Sequence, residues 1–188
     1  MALFLCRRKE KEMKKTNLVK MILSALFLAL AYILPFLTGQ IPEIGAMLCP
    51  LHLPVLLCGF VCGPAWGAAV GFIAPLLRSL TLGMPPLFPT AVCMAFELAA
   101  YGAMTGLLYK ALPKRKPYIY VSLLSAMVIG RLIWGAAMFL CMGLKGGAFT
   151  FSAFLSGAVI NAIPGIIVQI VLVPVLVMIL NNPKITKD

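Results

Sequence analysis

Two side chains of opposite charge, Glu97 and Arg131, stand inside otherwise apolar runs, and Asn161 is a third polar group in a similar setting. An ionised group inside a bilayer costs about 2.5 to 3.5 kcal/mol even on the gentle insertion scale, so such residues turn toward a cavity or toward each other. Tyr101 follows Glu97 by four residues and Trp134 follows Arg131 by three, which puts a ring on the helical face of each charge. An acid, a base, an amide and two rings that meet in one place form a site for a small polar molecule. The guanidinium fork suits a carboxylate, and the rings suit a flat or apolar part. In the simpler alternative Glu97 and Arg131 only bridge to each other.

The same inventory is poor for catalysis, which needs a serine with a histidine, clustered carboxylates or metal ligands. The chain has one histidine, His52, and one carboxylate deep in an apolar run. His52, between Pro50 and Pro54, reads as a packed neutral imidazole. Of the six cysteines, most lie within apolar runs, where a thiol packs as a small hydrophobe. Cys58 and Cys62 share a helical face, but no second pair completes a four-ligand metal site. No metal and no cofactor is expected. A G-x-x-x-x-G-K-[ST] phosphate loop is also absent, so no ATPase or other enzyme activity is expected of this chain.

The elements that position these residues are membrane helices. Hydrophobic residues make up 62% of the 188 and charged residues 11%, against roughly 25% charged in a soluble domain. A crossing needs about 20 apolar residues, because every backbone polar group must be satisfied within the segment. Six stretches are expected to cross within a single domain: Leu18 to Leu37, two between Ile44 and Leu80 that part at Gly63-Pro64, Leu87 to Tyr109, Tyr118 to Met142, and Leu155 to Leu180. Glu97 then lies about ten residues, or ~15 Å, below the outer surface, and Arg131 about thirteen residues, or ~20 Å, above the inner one. Their depths nearly match.

The formal charge of +11 resides at the ends of the apolar runs, which argues for orientation in a bilayer and not for nucleic acid. Seven bases (Arg7, Arg8, Lys9, Lys11, Lys14, Lys15, Lys20) precede or open the first span, four (Lys110, Lys114, Arg115, Lys116) separate the fourth and fifth, and two (Lys184, Lys187) follow the last. Only Arg78 and Lys145 fall on the other side. Since basic residues are retained inside, both termini are expected in the cytoplasm, the N-terminal one as a basic segment over 1–16 and the C-terminal one as a tail over 183–188. Ala29-Leu30-Ala31 resembles a signal-peptide cleavage site, but the apolar run continues to Leu37 and is read as a retained span.

Two further patterns concern packing. Gly59, Gly63, Gly67 and Gly71 recur every fourth residue, so the helices flanking Gly63 offer glycine faces that let backbones approach, most simply within this chain. Ala25 and Ala29 leave a smooth patch on the first span, able to receive another helix. The segment Thr38-Gly39-Gln40-Ile41-Pro42-Glu43-Ile44-Gly45 is short, polar and punctuated by Gly and Pro, as a lid or a plain connector would be.

With its basic N-terminus, six spans, A-x-x-x-A patch and polar residues in spans four to six, the chain resembles the substrate-binding S component of energy-coupling factor (ECF) transporters. The resemblance covers roughly Lys15 to Asn182, and includes Gly39-Gln40-Ile41-Pro42 and Gly71-Phe72-Ile73-Ala74-Pro75-Leu76-Leu77-Arg78. It implies capture of a B vitamin or precursor from outside a bacterial cell membrane, with the first outer loop as lid. It also implies a transmembrane coupling protein and two ATPase subunits as partners, with Ala25 and Ala29 as the docking surface. By the same resemblance Glu97, Arg131, Trp134 and Asn161 would contact the vitamin, with Tyr101 and Gln40 beside them. Arg131 favours an anionic ligand such as pantothenate; hydroxymethylpyrimidine, pyridoxine and riboflavin stay open. The alternative is a stand-alone secondary transporter or channel, for which a single intramembrane acid and no clear inverted repeat offer little.

Overall fold

A computed structural model describes residues 2–38, 48–113, 115–144, 150–158 and 160–180, and every element among them is helical. Seven α-helices follow in order: α1 (Ala2–Ile33), α2 (His52–Cys62), α3 (Pro64–Leu82), α4 (Val92–Ala111), α5 (Lys116–Leu144), α6 (Phe151–Ala158) and α7 (Ile163–Leu180). A 3-10 segment, Leu34–Thr38, continues α1, and another, Ile160–Ala162, joins α6 to α7.

Glycine and proline set the helix ends. Gly63, at φ 97°, stops α2 by donating its N–H to the Gly59 carbonyl at 3.1 Å, and Pro64 then opens α3, where a missing N–H does no harm. Gly83, at φ 69°, closes α3 in the left-handed conformation that lacks a Cβ penalty, its N–H on the Ser79 carbonyl at 3.0 Å. Pro113 turns Leu112 to an extended conformation, and α4 ends before it.

Five stretches are long and apolar enough to cross a bilayer: Thr16–Phe36, Pro64–Leu82, Leu87–Ala111, Lys116–Leu144 and Phe151–Leu180. Six were expected. The difference lies at α2, whose 11 residues rise only about 17 Å at 1.5 Å each, against roughly 30 Å of hydrocarbon. Residues 39–47 ahead of it, which include Gln40 and most of the 38–45 segment, lie outside the described residues, as do Lys145 and the 183–188 tail. The last expected span also differs from an unbroken helix. Asn161 sits in the 3-10 turn, and Pro164 falls in the first turn of α7, so it frees no carbonyl within a continuous helix.

Helix α4 is the centre of the bundle, packed against α2, α3 and α5, while α1 covers α2 and α3, and α7 covers α2 and α5. The glycine repeat explains how close the central layer is. Gly67 faces both Gly59 on α2, as the sequence led one to expect, and Gly102 on α4; a Cβ there would stand 2.6 Å from the Gly102 carbonyl oxygen and 2.7 Å from the Gly59 Cα. Gly71 meets the Leu98 backbone of α4 in the same way. The repeat therefore seats α3 on two neighbours at once. Cys58 on α2 donates to the Ser24 hydroxyl of α1 at 3.6 Å, so one of the paired thiols serves packing.

Arg78 is not a solvent-facing loop base. Its side chain is buried near the end of α3, Nη1 donates to the Tyr32 carbonyl at 2.9 Å, and the guanidinium lies 5.6 Å over the Phe36 ring. It pins the end of α3 to the end of α1 by hydrogen bond and cation–π attraction. Outward-facing positions such as Leu132, Phe139 and Val171 are apolar and more than half exposed, the pattern of a lipid-facing surface.

Candidate ligand-binding site

The cluster begins at the entry to α2. Cys49 adopts a positive φ of 48°, uncommon for a residue with a Cβ, and its carbonyl accepts the His52 N–H at 3.0 Å. That turn makes His52 the first residue of α2 and directs its imidazole into the bundle, where it is buried. The ring meets Tyr101 of α4 edge-on, 5.2 Å between centroids.

Glu97 and Tyr101 lie one turn apart on the inward face of α4, with relative exposures of 1% and 0%. Arg131 comes from α5. Beside it Gly130 makes room for the Tyr101 ring, since a Cβ at that position would lie 2.9 Å from Cε1 of the tyrosine. Arg131 Nη1 is 3.0 Å from Glu97 Oε1, and His52 Nε2 approaches the same oxygen at 3.5 Å. Arg131 Nη2 reaches Cys49 Sγ at 3.8 Å, which closes the ring of contacts back to the start of α2.

One carboxylate is thus shared by a guanidinium and an imidazole from two other helices. Opposite charges in a low-dielectric interior attract strongly, yet their desolvation offsets much of that gain, so the pair by itself is weak evidence of stabilisation. The unmet hydrogen bonds are more informative. His52 Nδ1 and Arg131 Nε are buried without a hydrogen-bond partner among the described residues, and Tyr101 Oη lies beside the Glu97 carboxylate. Buried polar groups are nearly always paired, so a group of orphans around one charge pair is what a site for a hydrogen-bonding guest looks like.

The other residues singled out in the sequence are placed elsewhere. Trp134 stacks on Phe154 of α6 at 6.2 Å and lies against Gly157. Asn161 is exposed, and its carboxamide donates to the Ser156 hydroxyl at 3.5 Å. Ala25 and Ala29 both face outward on α1, while Ser24, Phe27 and Ala31 turn into the bundle. Gln40 is among the residues not described.

Sequence reasoning passed over three residues. His52 is packed, as read, but it is also the third polar member of the cluster. Cys49 gave no signal beyond its position before Pro50. Gln169 on α7 is buried at 2% exposure, with Nε2 unpartnered among the described residues. A glutamine in a run of Ile, Val and Leu was a signal of the same kind as Glu97, only weaker because an amide carries no charge.

No match emerges among curated proteins or solved structures. A family model for the ECF transporter substrate-specific component does match, over residues 19–177. That match runs from α1 into α7 and takes in every member of the cluster. The chain therefore belongs to the substrate-specific components of ECF transporters: it is an integral membrane protein and the substrate-binding subunit of an importer, which works with an energising module and is not itself the ATPase.

Proposed function

We infer that this subunit captures a B vitamin or vitamin precursor from outside the bacterial plasma membrane for ATP-driven uptake. A carboxylate-bearing, acceptor-rich ligand of the pantothenate kind is the favoured class. The observation that carries this is the cluster itself: Arg131 Nε is a buried donor without an acceptor among the described residues, and Tyr101 Oη can donate as well. Glu97 is the one carboxylate of the cluster among the described residues, and Arg131 and His52 approach it as ion-pair partners. A guest that brings oxygens satisfies more of these groups than one that brings N–H donors.

In this reading Glu97, Tyr101 and Arg131 contact the ligand directly, with Trp134, Asn161 and Gln40 at its margin and the 38–45 segment as lid. Both termini are cytoplasmic, and the chain crosses the membrane six times. The outward face of α1 around Ala25 and Ala29 receives a transmembrane coupling protein that carries two ATPase subunits. Support for that face comes from its exposure beside Met21, Ile22 and Leu26, an apolar and small-residue surface that no other helix of this chain covers among the described residues.

Native mass spectrometry of the protein purified in detergent tests the ligand class, because a tightly held vitamin survives extraction. A co-purifying mass equal to a carboxylate-bearing vitamin supports the assignment, and one equal to a cationic ligand overturns it. Proton-driven uptake by the purified chain alone in vesicles would replace the importer reading with a stand-alone carrier.

A further inference from the structure

At the opposite end of the molecule from the α3 C-terminus, the α2–α3 turn borders a cavity of about 500 Å³ that the capture mechanism does not use. Its wall is made by Asn17 and Lys20 of α1, the Gly63-Pro64 turn, Trp66 of α3, and Tyr109 and Lys110 at the end of α4. Two lysines line it and, among the described residues, no acidic side chain does. Lys20 is half-buried and Lys110 exposed.

We propose that this cavity binds the phosphate headgroup of an anionic membrane phospholipid, with Lys20 and Lys110 as the recognising charges. Three features favour a lipid as the source of the phosphate. The cavity lies at the end of the bundle that carries the basic Lys110 to Lys116 connection, the end that positive charge assigns to the anionic cytoplasmic leaflet. Trp66 and Tyr109 stand at its wall, and such amphipathic rings settle at headgroup level. On the helices that carry the two lysines, Leu18 and Val19 of α1 and Leu107 of α4 are exposed and apolar, as surfaces that face acyl chains are. The first N–H groups of α3, at Ala65 and Trp66, have no carbonyl of their own helix to bond and add donors to the same space.

The experiment is native mass spectrometry of the full chain in detergent, with phosphatidylglycerol and phosphatidylcholine supplied in equal amounts. Wild type should retain phosphatidylglycerol in preference, and Lys20→Ala/Lys110→Ala should lose the preference, at roughly tenfold per lysine, as a hydrogen bond between two charged groups is lost. Lys20→Gln/Lys110→Gln is a second variant that keeps side-chain length and gives the same expectation. Arg115→Ala/Lys116→Ala, which removes nearby bases outside the cavity, should leave the preference intact. Equal retention of the two lipids by wild type overturns the proposal, as does an equal loss in the Arg115/Lys116 variant. Displacement of the lipid by millimolar inorganic phosphate would make the ligand a free anion, and retention of an acidic peptide in place of phosphatidylglycerol would make it a protein partner; either result also overturns it.

Discussion

Arg131 Nη1 on α5 stands 3.0 Å from Glu97 Oε1 on α4, and that contact joins the two charges that the sequence leaves deepest in the bundle. The helices run antiparallel across the short 112–115 connection, so residues at equal depth are brought side by side. His52 of α2 reaches the same oxygen, which makes Glu97 the junction of three helices. A pair that served only to cancel charge would need neither the imidazole nor the unsatisfied polar atoms around it.

Arg131→Ala separates a binding role from a bridging one. It should weaken binding of the co-purifying vitamin at least tenfold, the loss of a charge-assisted hydrogen bond at ~1.5 to 3 kcal/mol. Thermal stability should fall as well, because Glu97 is left buried without its main partner. Titration calorimetry beside a thermal melt reads both. A lower melting temperature with unchanged affinity would reduce the pair to a structural bridge.

His52→Phe keeps a ring, slightly larger, against Tyr101 and removes both nitrogens. Packing is largely retained, so the melting temperature should stay close to wild type. Affinity should fall about three- to tenfold, as a single hydrogen bond worth ~0.5 to 1.5 kcal/mol disappears. The same calorimetric titration checks it, and wild-type affinity would return His52 to the role of core filler.

Ala25→Trp places a large ring on the outward face of α1 and touches nothing in the cluster. Uptake by cells that carry the energising module should be abolished, while vitamin binding by the purified protein stays intact. Leu132→Trp, on an equally outward position of α5, is the control and should transport normally. Normal uptake by Ala25→Trp would remove the docking role from this face.

How much of the site was legible follows from the price of burial. A charge in an apolar run stands out in the sequence because its desolvation is costly, and equal depth on consecutive antiparallel helices is enough to pair Glu97 with Arg131. His52 had no such marker. Its place depends on the Cys49 turn, which fixes where α2 starts, and one-residue shifts of that start would rotate the imidazole by about 100°. Trp134 was assigned to the charge on its own helix by spacing, but a ring also packs on whatever helix lies opposite, and here that is Phe154. The count of crossings rested on hydropathy across Ile44 to Leu80, which carries no sign that the α2 helix is only 11 residues long. Gly63-Pro64 did place the break between α2 and α3, because both residues act through backbone chemistry that needs no tertiary context.

Gly67→Ala tests the close central layer and its coupling to the site. The added methyl would meet the Gly102 carbonyl oxygen at 2.6 Å and the Gly59 Cα at 2.7 Å, both backbone atoms that cannot turn aside as a flexible side chain would. Relief requires α3 to move away from both α2 and α4, at a cost of about 1 to 3 kcal/mol for overpacking. Because His52 rides on α2 and Glu97 on α4, the two helices that α3 braces, a displaced α3 loosens their 3.5 Å approach, whereas the Arg131–Glu97 contact across α4 and α5 is spared. The variant should therefore melt several degrees below wild type and bind ligand more weakly. Gly143→Ala, with nothing within 4 Å of its new methyl, should do neither and gain slightly from better helix propensity. A wild-type melt for Gly67→Ala would mean that α3 and α4 do not meet through glycine, and the route by which the central layer positions His52 against Glu97 would have to lie elsewhere.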